Sequence, residues 1–398
     1  MLVNRVADLV FWTSVLALAY AYVGYPLLLV LISRFRSRPV QRADWTPSVS
    51  VIITAYNEER DLAAKLESTL LLDYPKDSLE IVVASDCSTD RTDEIVKGFA
   101  SRGVCLHRQA VRLGKTATQN AAVAQTRGEI ILFSDATTLY QPDVLRVIVP
   151  SFADPSVGCV AGRLIYVDPT ESSVGRGARL YWSYETFLKR HESLICSLIG
   201  ASGCLYAVRR SAYVPLYNEA CGDFIIATKM VEQGLRAVFE PNACCTEDTN
   251  RRMDKELSMR VRVIAQTFTD LWLHRAMMNP LRSGFYAVEL ISHKLMRYMV
   301  PLFLMAIFAA SATLATKSAF FAVAFGAQVC FYAAAGAGWA LERTGKHSRL
   351  LALPQYFVLT NIASLMAFYQ FARGERYGHW EPIREPVASR VPAAGDQQ

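Results

Sequence analysis

The sequence predicts an α/β fold, a mostly parallel sheet covered by helices on both faces, joined to transmembrane helices. Two observations carry this. Between residues 45 and 285, short β-branched runs alternate with helical stretches, the pattern of a parallel sheet. On either side lie apolar segments long enough to cross a hydrocarbon core of about 30 Å.

The N-terminal element comes first. Residues 10–32 carry no charge and end in a cluster of Arg34, Arg36, Arg38 and Arg42, with only Arg5 on the other side. A cleaved signal peptide would have a shorter apolar core and a small-residue cleavage site, so residues 1–44 read as a transmembrane anchor with a basic arm. By the positive-inside rule the arginines place the following domain, residues 45–280, in the cytoplasm of a multi-pass cell-membrane protein. Residues 299–341 carry only Lys317 as a charge and supply two more spans, and residues 350–371 another, within a C-terminal membrane region 299–372. Residues 281–298, with Lys294 and Arg297, read as an interfacial helix, as do residues 173–199. Four spans put the basic tail, residues 373–398 with Arg373, Arg376 and Arg384, outside, unless one apolar segment lies flat or is re-entrant.

Composition narrows the function classes. The net charge of +6 suits an anionic membrane surface, not nucleic acid. Nine cysteines follow no pairing pattern, and the adjacent Cys244 and Cys245 lack the spacer of a zinc half-site. The first strand leads into AYNEE and not into a glycine-rich phosphate turn, which argues against a dinucleotide-binding oxidoreductase.

Within the domain, strands are expected at residues 49–55, 79–85, 104–108 and 129–135, with helices at 58–72, 89–100 and 116–126. Ligands of such sheets bind beyond the carboxyl ends of the strands, where Tyr56, Glu58, Asp86 and Asp135 stand. A departing diphosphate needs its charge neutralised, and a hard divalent cation, Mg2+ or Mn2+, on Asp135 would do so. Asp86, ending the neighbouring strand, is placed to hold a nucleotide base or ribose, or to stand close to the metal. Lys115 follows Gly114 at a loop-to-helix junction suited to a diphosphate. Transfer to a hydroxyl also needs a general base. Asp223, at the N-terminus of a helix over 224–233, is preferred to the carboxylates of the later TED (Thr246, Glu247, Asp248), which is placed in a loop after the strand RAVFEP, with a supporting role open to Glu247.

In order and spacing these residues resemble the family 2 glycosyltransferases of GT-A fold, particularly the membrane-embedded synthases of cellulose, chitin, hyaluronan and poly-N-acetylglucosamine. The resemblance covers roughly residues 45–300. It implies that Tyr56 and Glu58 contact the nucleoside, Asp86 binds the nucleotide and Lys115 lies near the diphosphate. FSDAT resembles the metal-binding DxD site, with Thr137 in place of the second carboxylate, so Asp135 and Thr137 would face the metal. GASGCLYAVRR resembles the acceptor-side loop and strand, bringing Ser202 and Gly203 to the acceptor, and Tyr181 and Trp182 could stack on sugar rings. Asp223 falls where the family places its base. The QxxRW signature is absent in strict form; its equivalent is RVRVIAQ, with Arg260 or Arg262 steadying the diphosphate.

The function implied is inverting transfer of a sugar from a nucleotide-sugar donor, a UDP-sugar by the resemblance, to a growing polysaccharide, with export across the membrane. The alternatives are single-sugar addition to a lipid-linked acceptor and a non-catalytic sugar-binding membrane protein. Donor, glycan or lipid-linked glycan acceptor and membrane lipids are the partners implied; export or assembly partners stay open.

Overall fold

A computed structural model describes residues 2–168, 173–248, 252–344 and 348–378. One eight-stranded sheet organises the soluble part: β1 (Val49–Ala55), β2 (Leu79–Ser85), β3 (Val104–Arg108), β4 (Ile130–Asp135), β5 (Leu139–Tyr140), β6 (Val157–Val167), β7 (Tyr206–Arg209) and β8 (Arg236–Asp248), in the order β3-β2-β1-β4-β7-β6-β8-β5. The first four of that order are mutually parallel, β7 runs antiparallel between β4 and β6, and β8 is parallel to β6. All seven residues of β1 are buried. Val49, Val51, Ile53 and Ala55 enter one apolar cluster and Ile52 the other, which is why the run VSVIITA shows no polar alternation.

The registers set the site. Ala55 pairs with Ser85, and Thr54 with Asp135, so β1, β2 and β4 end side by side. The two helices that follow β1 and β2, Leu62–Leu70 and Thr92–Gly98, are shorter than the sequence pattern suggests. After β1 the chain passes through Asn57 at φ 54°, and the Asn57 Oδ1 accepts the Thr89 amide at 2.7 Å. Those residues make a fixed turn between the strand ends, leaving them out of the helices. TED is also placed differently from the expected loop: β8 runs on through Thr246, Glu247 and Asp248, because β6 and β5 pair with it there.

Four helices are long and apolar enough to cross a membrane: Leu2–Phe35, Phe285–Leu314, Ala319–Arg343 and Arg349–Ala372. The expected interfacial segment 281–298 divides instead at Gly284, φ 59°, and from Phe285 it is one rod with the apolar residues that follow. Two of its polar residues pair with another helix of the chain. His293 is bonded to Glu192 Oε1 at 2.6 Å and Glu185 Oε2 at 3.1 Å, and Arg297 is ion-paired with Glu185, both acids lying on the helix Ser173–Ile195. Tyr25, on the first long helix, donates to Glu192 at 2.7 Å.

The last helix is held along the soluble domain. Tyr356 donates to Glu256 Oε1 at 3.0 Å, Phe268 packs on Phe368 and Phe371 with centroids 5.6 and 5.7 Å away, and Gln266 donates to the Tyr377 carbonyl at 2.7 Å. Contacts that advance in step along both chains mean that Arg349–Ala372 runs beside Met253–Leu273 in the same direction.

Candidate active site

The end of β2 builds the first wall. Asp86 is fully buried and accepts the amides of Leu113 at 2.8 Å and Gly114 at 3.0 Å and the Thr118 hydroxyl at 3.0 Å. Gly114 sits at φ 95°, where a β-carbon is strained, and starts the helix Lys115–Gln125. Asp86 thereby fixes the turn that presents Lys115. Beside it, the Tyr56 ring lies 3.8 Å from the Arg112 guanidinium, and the Glu58 amide donates to Thr92 at 2.7 Å. Tyr56, Glu58 and Asp86 form one group at the ends of β1 and β2.

Lys115 is ion-paired with Asp135 at the end of β4. Burial opposes its charge, but the Asp135 carboxylate, with Asp223 and Glu247 nearby, holds the ammonium above its ordinary range. Lys115 and Asp135 line a cavity of about 330 Å³ together with Asp223, Glu247, Arg260 and Arg262. Ser202, Gly203, Tyr181 and Trp182 line the same cavity, so with Glu247 counted ten of the residues singled out in the sequence meet there. Thr137, Tyr56, Glu58 and Asp86 are not among its walls.

Asp223 lies in the first turn of the helix Gly222–Glu232. Its Oδ2 accepts the Gly203 amide at 3.0 Å and its Oδ1 accepts the Cys221 thiol at 3.2 Å. A β-carbon on Gly203 would stand 3.3 Å from that Oδ2 and 3.4 Å from Lys115 Nζ, so glycine lets the loop pack closely against both groups. The loop is held from behind by Lys189, which donates to Ser202 Oγ at 2.7 Å and the Ala201 carbonyl at 3.1 Å. Asp270 steadies the other side, accepting the Cys221 amide at 3.1 Å and the Tyr217 hydroxyl.

Thr137 has a different contact from the metal-facing one expected. Its hydroxyl donates to Glu247 Oε1 at 2.9 Å and so holds that carboxylate, whose charge the Asp135 carboxylate opposes. Burial first, then the Asp135 charge, push Glu247 up to about 7. Glu247 is a cavity-lining carboxylate to which sequence reasoning assigns only a supporting role. The TED triplet was its signal, but only the pairing of β8 with β5 and β6 shows where it points. Arg260 pairs with Glu256 at 2.7 Å, whereas Arg262 has no hydrogen bond or ion pair among the described residues. Two carboxylates, the Lys115 ammonium paired with one of them, the unpaired Arg262 guanidinium and a rigid carboxylate at a helix N-terminus suit binding of a sugar diphosphate beside a general base.

Residues 50–219 match the profile of the family described as Glycosyl transferase family 2. The match covers less than half of the 398-residue chain and makes this segment similar to that family. The segment contains Asp86, Lys115, Asp135 and Gly203, while Asp223 and Glu247 follow it. Among curated relatives, the chain is 27% identical over 219 residues to the beta-monoglucosyldiacylglycerol synthase of a Nostoc species, covering 54% of this chain and 46% of that protein. It is 25% identical over 279 residues to an N-acetylglucosaminyltransferase of Sinorhizobium fredii, covering 65% and 67%. The chain thus spans under half the length of the Nostoc relative. Among solved structures, the mannosyltransferase PcManGT from Pyrobaculum calidifontis, in complex with GDP-Man and Mn2+, aligns with a TM-score of 0.70 over 92% of this chain and 99% of its own, at 23% identity. That likeness is one of fold: the glycosyltransferase domain is of GT-A type, with membrane-long helices attached.

Proposed function

We propose that the chain transfers a sugar, with inversion, from a nucleoside-diphosphate sugar to a hydroxyl of an acceptor presented at the cytoplasmic face of the cell membrane. What carries this reading is the convergence of Asp223, Lys115, Asp135 and Glu247 on one cavity of about 330 Å³. Asp223, with both oxygens anchored, removes the acceptor proton. The acceptor oxygen then bonds to the anomeric carbon as the bond to the diphosphate breaks, and the leaving group departs with the electron pair. Lys115 and Arg262 face its developing charge. Tyr56, Glu58 and Asp86, at the neighbouring strand ends, take the nucleoside side. Ser202, Gly203, Tyr181 and Trp182 take the acceptor side.

The residues fit a divalent cation. Asp135 and Glu247 are close enough for one to oppose ionisation of the other, and Lys115 supplies positive charge at Asp135. No cluster of three His, Cys, Asp or Glu side chains occurs among the described residues, so these two would hold Mg2+ or Mn2+ with donor oxygens completing the shell. The ion would supply further positive charge to the diphosphate. The structural neighbour's complex with GDP-Man and Mn2+ is consistent with such a site.

Asp223→Asn should abolish transfer from labelled nucleotide sugar while nucleoside diphosphate still binds; turnover in that variant would reject the assignment. One sugar per acceptor is the expected product, since RVRVIAQ lacks the tryptophan of the processive signature. A ladder of product lengths would instead support growth of a polysaccharide.

A further inference from the structure

A second cavity, of about 210 Å³, adjoins the first and reaches in among the membrane-long helices. Tyr181, Arg260, His293, Lys294 and Tyr298 wall both. Beyond them the second cavity is bounded by Tyr22 on the first long helix and by Phe357 and Thr360 on the last. Leu180 and Leu353 form part of its rim and are 54% and 60% exposed, giving the mouth an apolar edge.

Its charge is one-sided. Arg260, Lys294 and Arg297 line it, and no Asp or Glu does so among the described residues. Glu256 pairs with Arg260 and Glu185 with Arg297. Lys294 has no hydrogen bond or ion pair among the described residues; its ammonium lies 5.7 Å from the Phe224 ring, and the carboxylate that acts on it from a distance, Glu185, is already paired with Arg297. A cation in such surroundings calls for an anion, and one bound there would also meet Arg260 and Arg297.

We infer that the second cavity binds the phosphate of a lipid acceptor. The phosphate sits at Lys294, the hydrocarbon leaves past Leu180 and Leu353, and the headgroup hydroxyl passes the shared wall to Asp223. This deepens the transfer reading above and rests on it. In the step itself the lipid's hydroxyl loses its proton to Asp223 and gains the sugar, and the phosphate ester is untouched.

The test uses purified full-length protein in detergent micelles, without donor, titrated with farnesyl phosphate, farnesol and inorganic phosphate. Farnesyl phosphate carries both features the cavity reads, and should bind at least tenfold tighter than either of the others. Lys294→Gln should weaken it about tenfold, Lys294→Arg should restore it, and Thr360→Phe, which fills the tail side, should weaken it independently. Equal binding of farnesol or inorganic phosphate, or no effect from both Lys294→Gln and Thr360→Phe in folded protein, overturns the assignment. Selective binding by a wild-type protein that never turns over nucleotide sugar would fail the transfer reading alone. Turnover without selective binding would fail the cavity assignment alone.

Discussion

The Asp223 carboxylate and the Gly203 amide are joined by a 3.0 Å hydrogen bond that fixes the proposed base against the loop of Ser202 and Gly203. Because a β-carbon at 203 would lie 3.3 Å from Asp223 Oδ2, tighter than ordinary contact, Gly203→Ala should shift that oxygen by a few tenths of an ångström. Small misplacement of a base is costly in rate. Steady-state kinetics should show kcat reduced about tenfold or more with the donor KM changed much less. An unchanged kcat would mean that the acceptor oxygen is not positioned from this loop.

Thr137 and Glu247 make a second linked pair, the hydroxyl donating at 2.9 Å. If Glu247 shares a cation with Asp135, Thr137→Val should weaken Mn2+ affinity about tenfold through loss of orientation, and Glu247→Gln more strongly. Free Mn2+ measured by electron paramagnetic resonance, in the presence of nucleoside diphosphate, reads this without turnover. Equal affinity in all three proteins would remove Glu247 from the metal site.

The part of this site that the sequence announces is the part built from local rules. Asp86 and Asp135 end β-branched runs, and the parallel registers Ala55 to Ser85 and Thr54 to Asp135 bring those ends together. Asp223 is announced by a helix start. Glu247 is not, because its direction depends on β8 pairing with β6 and β5, a long-range arrangement no short window contains. Lys294, His293 and Arg297 resemble interfacial charges for the same reason: Glu185 and Glu192, which pair with two of them, lie about a hundred positions earlier. Helix 58–72 was oversized because apolar periodicity does not register the left-handed turn at Asn57.

Lys65 gives a pH-dependent test of the core beneath Asp135. Its side chain is fully buried with the ammonium 3.3 Å from the Tyr140 ring centroid, and burial pushes it down to about 7 from an ordinary 10.5. A lowered folded-state value makes the unfolded chain bind the proton more tightly. Stability is therefore greatest above about pH 10.5 and is lost as the pH falls toward 7, by up to about 1.4 kcal/mol per unit. Lys65→Met, similar in volume, removes that loss. The variant's apparent Tm should exceed wild type at pH 7.5, with the gap narrowing by pH 9.5; a constant gap would mean that Lys65 keeps its charge throughout.

The last apolar helix bears on topology. Arg349–Ala372 is long enough to cross a bilayer, yet it lies beside Met253–Leu273 from Tyr356 through Phe371, and the Tyr377 carbonyl accepts from Gln266. Gly378 then returns to the wall of the active-site cavity. A helix that crossed would carry its end about 30 Å away from the domain on which it began. We therefore propose three crossings, with this helix lying at the interface on its amphipathic neighbour, an arrangement that also places Arg373 and Arg376 on the same side as Arg34 and Arg36. In inside-out vesicles, a cysteine at position 376 of a cysteine-depleted chain should react with a membrane-impermeant maleimide as readily as one at position 91 in the soluble domain. Protection of position 376 in those vesicles, with labelling only from the opposite face, would establish a fourth crossing and place the basic tail outside.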